Sequence, residues 1–125
     1  MARILIADDE PNLVLALELL MKREGHDILA VGDGEAAVEA ARAFRPDLIL
    51  LDVMMPKMDG YEVCQRLRAD PALKGVAIVM LTAKGREVEK EKGMALGADL
   101  YITKPFSTRD VVRRVKEVLA SKPSA

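Results

Sequence analysis

Short apolar runs alternate along the chain with longer segments of mixed character. The runs occupy residues 4–7, 28–31, 48–51, 76–81 and 100–102, and most are continuously apolar. A strand with one wet face would alternate, so continuous runs predict strands covered on both faces. The mixed segments between them, 11–24, 34–44, 61–70, 86–96 and 108–120, predict helices. Punctuation agrees with these limits. Pro11 suits a first helical position, Gly25 and Gly97 suit positions just past a helix end, and Ser107 with Asp110 resembles a capping box. Five repeats of strand then helix imply an α/β chain with a parallel sheet, right-handed crossovers and helices on both faces.

Size and composition narrow the reading. The 125 residues fit one domain, and no internal repeat or linker divides them before a short tail, residues 121–125. Half of the chain is hydrophobic and 31% is charged, which disfavours disorder. A formal charge of -1 and an aromatic share of 3% leave no broad basic footprint or base-stacking platform, so no direct nucleic-acid binding is expected. The start of the chain reads as neither signal peptide nor membrane span. With Cys64 the sole cysteine, no internal disulfide can form, and the expected compartment is the cytoplasm. Cys64 itself reads as core, as do Met80 and Met94, while His26 reads as exposed or as capping a helix end.

Ligands of open parallel sheets bind beyond the carboxyl ends of the strands. The first run ends in Asp8-Asp9-Glu10, the third in Asp52, the fourth in Thr82-Ala83 and the fifth in Lys104-Pro105. Each has an ordinary alternative: Asp9 or Glu10 as a helix cap, Asp52 in a turn, Thr82 as a strand end, Lys104 in solvent. Their joint placement is harder to dismiss. Crowded carboxylates call for a cation, and hard oxygen donors favour Mg²⁺. A threonine hydroxyl and a lysine beside that cation are what a phosphoryl group in transfer needs, with a carboxylate as acceptor.

These residues carry a family resemblance. Ile-Ala-Asp8-Asp9-Glu10-Pro11, Pro46-Asp47 through Asp52 to Pro56, Asp59-Gly60, Leu81-Thr82-Ala83, Gly97-Ala98-Asp99 and Tyr101 through Lys104-Pro105-Phe106 resemble, in order and spacing, the receiver domain of bacterial two-component response regulators. The resemblance implies a flavodoxin-like (βα)5 doubly wound fold with strand order 2-1-3-4-5, a receiver domain over residues 1–120 and a tail over 121–125. It implies Asp52 as phosphoacceptor, Mg²⁺ held by Asp8, Asp9, Asp52 and the Met54 carbonyl, and Thr82 and Lys104 on the phosphoryl group. Thr82 and Tyr101 would form a switch in which Tyr101 turns inward as Thr82 moves, altering the surface of helix four, strand five and helix five. The Lys104-Pro105 bond matches one that is cis in the family. The implied donor is a sensor histidine kinase, a phosphotransfer protein or a small acyl phosphate. The chain would then be no turnover enzyme but the catalyst of its own phosphorylation and slow dephosphorylation.

Other readings are weaker. Gly32-Asp33-Gly34-Glu35-Ala36-Ala37 fits a dinucleotide fingerprint, but two acids would repel a pyrophosphate at that helix start, so a turn with an N-cap is expected. An aspartyl phosphatase would want a second acid where Met54 stands. Met54 and Lys84, two positions beyond Asp52 and Thr82, give no side chain suited to activate water, which predicts a long-lived acyl phosphate. In helix one, Leu13, Ala16, Leu17, Leu20 and Met21 share a face while Leu15 and Leu19 fall among charges. The pair Leu15 and Leu19 is therefore the expected docking patch for the kinase or phosphotransfer protein. Asp99 and Arg114 match dimer-surface positions of the family's transcription factors, but Leu100 replaces a frequent second acid, so a monomer or a weak phosphorylation-dependent dimer is expected.

Overall fold

The computed structural model describes residues 2–82, 90–103 and 106–121. Five strands, β1 (Arg3–Ala7), β2 (Asp27–Val31), β3 (Leu48–Asp52), β4 (Ala77–Thr82) and β5 (Leu100–Thr103), alternate with α1 (Pro11–Arg23), α2 (Gly34–Phe44), α3 (Gly60–Ala69), α4 (Lys90–Ala95) and α5 (Thr108–Ser121). The strands are all parallel and lie in the order β2-β1-β3-β4-β5. The expected order and layering are therefore those of the molecule. Expected limits differ from observed ones by at most one residue at either end, except at α4, where the first expected residues fall at 86–89, outside the described residues.

Side-chain alternation along the strands divides the core in two. Leu5, Ala7, Ile49, Leu51, Ile78, Met80 and Tyr101 face α2 and α3, where Ala37, Ala41, Val63, Cys64 and Leu67 meet them. Ile4, Ile6, Leu48, Leu50, Val79, Leu81 and Ile102 face the opposite side, closed by Leu17 and Met21 of α1 and Val111 and Val115 of α5. Every residue of β3 and β4 is buried, which explains their unbroken apolar runs. Fully burying one such aliphatic side chain stabilises by about 1.5–3 kcal/mol, so the central strands anchor the fold.

Local chemistry fixes the ends. Pro11 stands at the start of α1, and Asp33 and Asp59 cap α2 and α3 by accepting the Ala36 and Glu62 N–H groups at 2.8 and 2.9 Å. The glycine-rich turn before α2 is thus the turn with an N-cap that its acids predicted. Gly97, at φ 109, follows α4 in the left-handed region. Ser107 accepts the Asp110 N–H at 3.2 Å, one half of the expected capping box.

Two expectations need correction. Met94 is 42% exposed, because α4 turns it away from the sheet, whereas Met80 and Cys64 are buried as expected. His26 is neither free in solvent nor a side-chain helix cap: its Nδ1 accepts the Ala2 N–H at 3.0 Å and pins the entry to β1.

Candidate functional site

The site forms where the carboxyl ends of β1 and β3 lie side by side. Ala7 pairs with Leu51, so the next residues of each strand, Asp8 and Asp52, emerge together. Asp8 is 3% exposed, Asp52 is 5% exposed and Asp9 faces solvent. One carboxylate oxygen from each of the three lies within 4.8 Å of the others. At that spacing each charge pair repels by at least about 3 kcal/mol at an effective dielectric near 20. Three hard oxygen donors, two of them buried, are a donor set that fits Mg²⁺ and would relieve that repulsion.

The carboxylates are not spent on helix capping. α1 begins after Glu10, whose side chain makes no cap, while Asp8 Oδ1 accepts the Glu10 N–H at 2.9 Å and so braces its own loop. Asp52 Oδ1 accepts the Met54 N–H at 3.2 Å, which orients the acid and turns the backbone after β3. Met54 is 56% exposed beside it.

Two glycines hold this loop in place. A Cβ on Gly60 would lie 2.5 Å from the Asp52 carbonyl oxygen and 2.9 Å from the Val53 Cα, and the Gly60 N–H donates to the Val53 carbonyl at 2.9 Å. The first turn of α3 therefore sits directly on the end of β3. On the other side a Cβ on Gly34 would lie 2.0 Å from the Met58 carbonyl oxygen, and the Gly34 N–H donates to the Pro56 carbonyl at 3.3 Å. Lys57 reaches Asp33 at 3.9 Å and takes a left-handed backbone, φ 69. The loop from Val53 to Asp59 is clamped between the starts of two helices.

Thr82 closes β4 as its last residue, fully buried, and its Oγ1 has no hydrogen-bond partner among the described residues. A buried hydroxyl in that condition is costly, and an incoming anionic oxygen would satisfy it. Tyr101, opposite Met80 in the sheet, lies on the same face as Thr82 and is 5% exposed. The expected switch tyrosine is thus already inward, its hydroxyl oxygen 3.2 Å from that of Tyr61. Lys104, Pro105 and Lys84 lie outside the described residues. Leu15 and Leu19 are 58% and 56% exposed, as their place among charges predicted, and they stand on α1 remote from the core.

Sequence reasoning missed Arg68. Its guanidinium donates to the carbonyls of Gly97 at 2.7 and 2.9 Å, Lys74 at 2.8 Å and Val76 at 2.6 Å, and pairs with Asp99 at 3.0 Å. The same Asp99 carboxylate accepts the Ile78 N–H at 2.8 Å, so this acid is engaged within the molecule.

Comparison with known proteins gives a consistent result. The profile of the response regulator receiver domain matches residues 4–116. The chain is 49% identical over 117 residues to the alkaline phosphatase synthesis transcriptional regulatory protein PhoP of Bacillus subtilis, covering 94% of this chain and 48% of that protein. It thus spans about half the length of the curated relatives it matches. Among solved structures it resembles a response regulator of Chloroflexus aurantiacus, with 37% identity and a TM-score of 0.89, covering 95% of this chain and 98% of that one. It also resembles the receiver domain of a sensor histidine kinase of Pseudomonas aeruginosa, solved with a magnesium ion coordinated in its active site cleft, at 30% identity and a TM-score of 0.86 over 96% and 98% of the two chains.

Proposed function

The chain belongs to the response regulator receiver domain family, whose work is two-component phosphorelay signalling, and from that membership we propose that Asp52 is its phosphoacceptor. The observation that carries this reading is the acid's position: buried at the end of β3, within 4.8 Å of the Asp8 and Asp9 carboxylates. An Asp52 carboxylate oxygen attacks phosphorus, the bond to the donor's imidazole nitrogen or acyl oxygen breaks, and an acyl phosphate remains on Asp52. Asp8, Asp9, Asp52 and the Met54 carbonyl would hold Mg²⁺. When bound, the ion supplies positive charge against the phosphoryl oxygens. The Thr82 hydroxyl donates to one of those oxygens, and Lys104 offsets the charge of another.

The remaining roles follow from the same reading. The receiver domain covers residues 1–120 and works in the cytoplasm. Among the described residues no helix is long and apolar enough to cross a membrane. The docking patch is Leu15 and Leu19, an exposed i, i+4 leucine pair where apolar area gains nothing without a partner. Phosphorylation moves Thr82 and consolidates the inward Tyr101, which changes the surface of α4, β5 and α5 and thereby the affinity for the next partner. The intramolecular engagement of Asp99 supports a monomer or weak phosphorylation-dependent dimer over a strong one. Loss of the phosphoryl group is slow, because Met54 offers neither acid nor amide to orient water.

The reaction class is tested with acetyl phosphate and Mg²⁺. One stable phosphoryl group per chain, seen as a mass increase, is expected. Steady phosphate release from many equivalents, with no retained label, would make the protein a phosphatase instead.

A further inference from the structure

The chain contains two tyrosines, and the fold joins them. Tyr61 stands in the first turn of α3 and Tyr101 within β5, yet their hydroxyl oxygens are 3.2 Å apart with both residues buried. Taking this partner from the buried Tyr101 hydroxyl would be costly, so Tyr61 restrains Tyr101. Both ends of this link lead to the acceptor. Tyr61 follows Gly60, the residue pressed against the Asp52 carbonyl, where a Cβ would come within 2.5 Å. Tyr101 lies across the sheet from Met80, on the face that also carries the buried Thr82 hydroxyl. The Lys92 ammonium of α4 rests 4.5 Å from the centre of the Tyr61 ring, so Tyr61 also touches the helix beside the switching surface.

We propose that Tyr61 is a positioning residue that holds Tyr101 inward and ties that inward state to the seating of α3 on the Asp52 backbone. The proposal rests on the reading of Asp52 as acceptor and Tyr101 as switch. Its consequence is a receiver biased toward the inward arrangement before phosphorylation. A second path then runs from Asp52 through Gly60 and Tyr61 to Tyr101, beside the one through Thr82. Linkage is reciprocal: whatever favours inward Tyr101 also favours the phosphoryl group, and a variant lacking the Tyr61 hydroxyl must bind a phosphoryl mimic less tightly.

With two tyrosines in the chain, the full protein labelled with 3-fluorotyrosine gives two ¹⁹F resonances, assigned from Tyr61→Phe and Tyr101→Phe. Phe keeps the ring at position 61 and with it the Lys92 contact, and circular dichroism checks the fold. In Tyr61→Phe the inward-to-outward ratio of Tyr101 should fall about fivefold, the equivalent of one net intramolecular hydrogen bond. The Tyr101 resonance should then move toward that of free fluorotyrosine and broaden with a soluble paramagnetic agent. Beryllium fluoride with Mg²⁺ should reverse both changes, at a half-saturating concentration raised by up to about fivefold. In Tyr101→Phe the Tyr61 resonance should shift and still answer beryllium fluoride by way of Gly60; a Tyr61 resonance that no longer answers there would remove the second path, even were Tyr61→Phe to lose its fold. A wild type that answers beryllium fluoride, beside a Tyr61→Phe with unchanged Tyr101 resonance and mimic concentration, overturns the role of Tyr61 alone. A wild type in which neither resonance answers contradicts the acceptor reading and the proposal with it.

Discussion

Replacing Gly60 with Ala adds a single methyl group, and the structure says where it must go. The new Cβ would lie 2.5 Å from the Asp52 carbonyl oxygen and 2.9 Å from the Val53 Cα, both backbone atoms that no rotamer change can move aside. Helix propensity favours Ala over Gly by about 1 kcal/mol in a helix interior and by less in a first turn. Overpacking against backbone costs about 1–3 kcal/mol. The clash wins, so Gly60→Ala should destabilise by about 1–2 kcal/mol. Gly34→Ala should cost more, since its Cβ would meet the Met58 carbonyl at 2.0 Å and its own N–H bond to Pro56 ties the same backbone. Gly75 is the control: its chain neighbours aside, no atom of the described residues lies within 4 Å of its Cβ position, so Gly75→Ala should be neutral or stabilising by up to about 1 kcal/mol. Urea unfolding followed by circular dichroism gives the order of stabilities, and the rate of labelling by acetyl phosphate gives the effect on Asp52. Because the obstruction is the carbonyl of Asp52 itself, labelling of Gly60→Ala should slow by about tenfold or more, whereas Gly75→Ala should label at the wild-type rate. A Gly60→Ala protein as stable as wild type and labelled as fast would refute the close-approach argument.

Arg68→Ala takes the guanidinium away from three carbonyls and from the Asp99 carboxylate, which keeps its Ile78 N–H bond, and should cost about 2–3 kcal/mol by chemical denaturation; Arg68→Lys should recover less than half, because an ammonium cannot fork to four acceptors. Burial first, then the nearby N-terminal charge, lowers the His26 pKa below its ordinary 6.5, and protonated Nδ1 could not accept the Ala2 N–H. The unfolded chain therefore takes up this proton at higher pH than the folded one. The His26 contribution is complete above about pH 7 and is lost as pH falls through 6.5 toward the lowered folded value, a slope that His26→Gln should remove from a series of unfolding curves. Changing Leu15 and Leu19 together to Ser should weaken phosphotransfer from a partner kinase while leaving acetyl phosphate labelling intact; equal loss of both would point to misfolding rather than docking.

The two-sided burial of β3 and β4 made the architecture legible, since unbroken runs such as Leu48 to Leu51 have few alternatives to a covered parallel strand. Alternation alone predicts parallel neighbours but not their order, and that order came from the family resemblance. Asp8, Asp9, Asp52 and Thr82 were legible as a group because each ends an apolar run, and in a parallel sheet run ends share an edge. Met94 was misjudged because a mixed helical segment does not by itself show which of its faces the sheet covers, and Met94 lies on an exposed one. Arg68 and Tyr61 were illegible for a different reason. Arg68 meets Gly97 29 residues away and Tyr61 meets Tyr101 40 residues away, and which groups meet at that distance depends on how α3 seats on the sheet. Gly60 could be read as part of a motif, but its contact with the Asp52 backbone could not.

Asp52 alone is expected to take the phosphoryl group, and to need a divalent ion held by its neighbours to do so. Borohydride converts an aspartyl phosphate to homoserine, so treating the acetyl phosphate-labelled protein with borohydride and mapping its peptides by mass spectrometry locates the acceptor directly. An Asp52 acceptor yields homoserine at position 52 and nowhere else, none in Asp52→Asn, and none when Mg²⁺ is chelated before labelling. Homoserine at Asp8 or Asp9, undiminished labelling of Asp52→Asn, or labelling that survives chelation would contradict it.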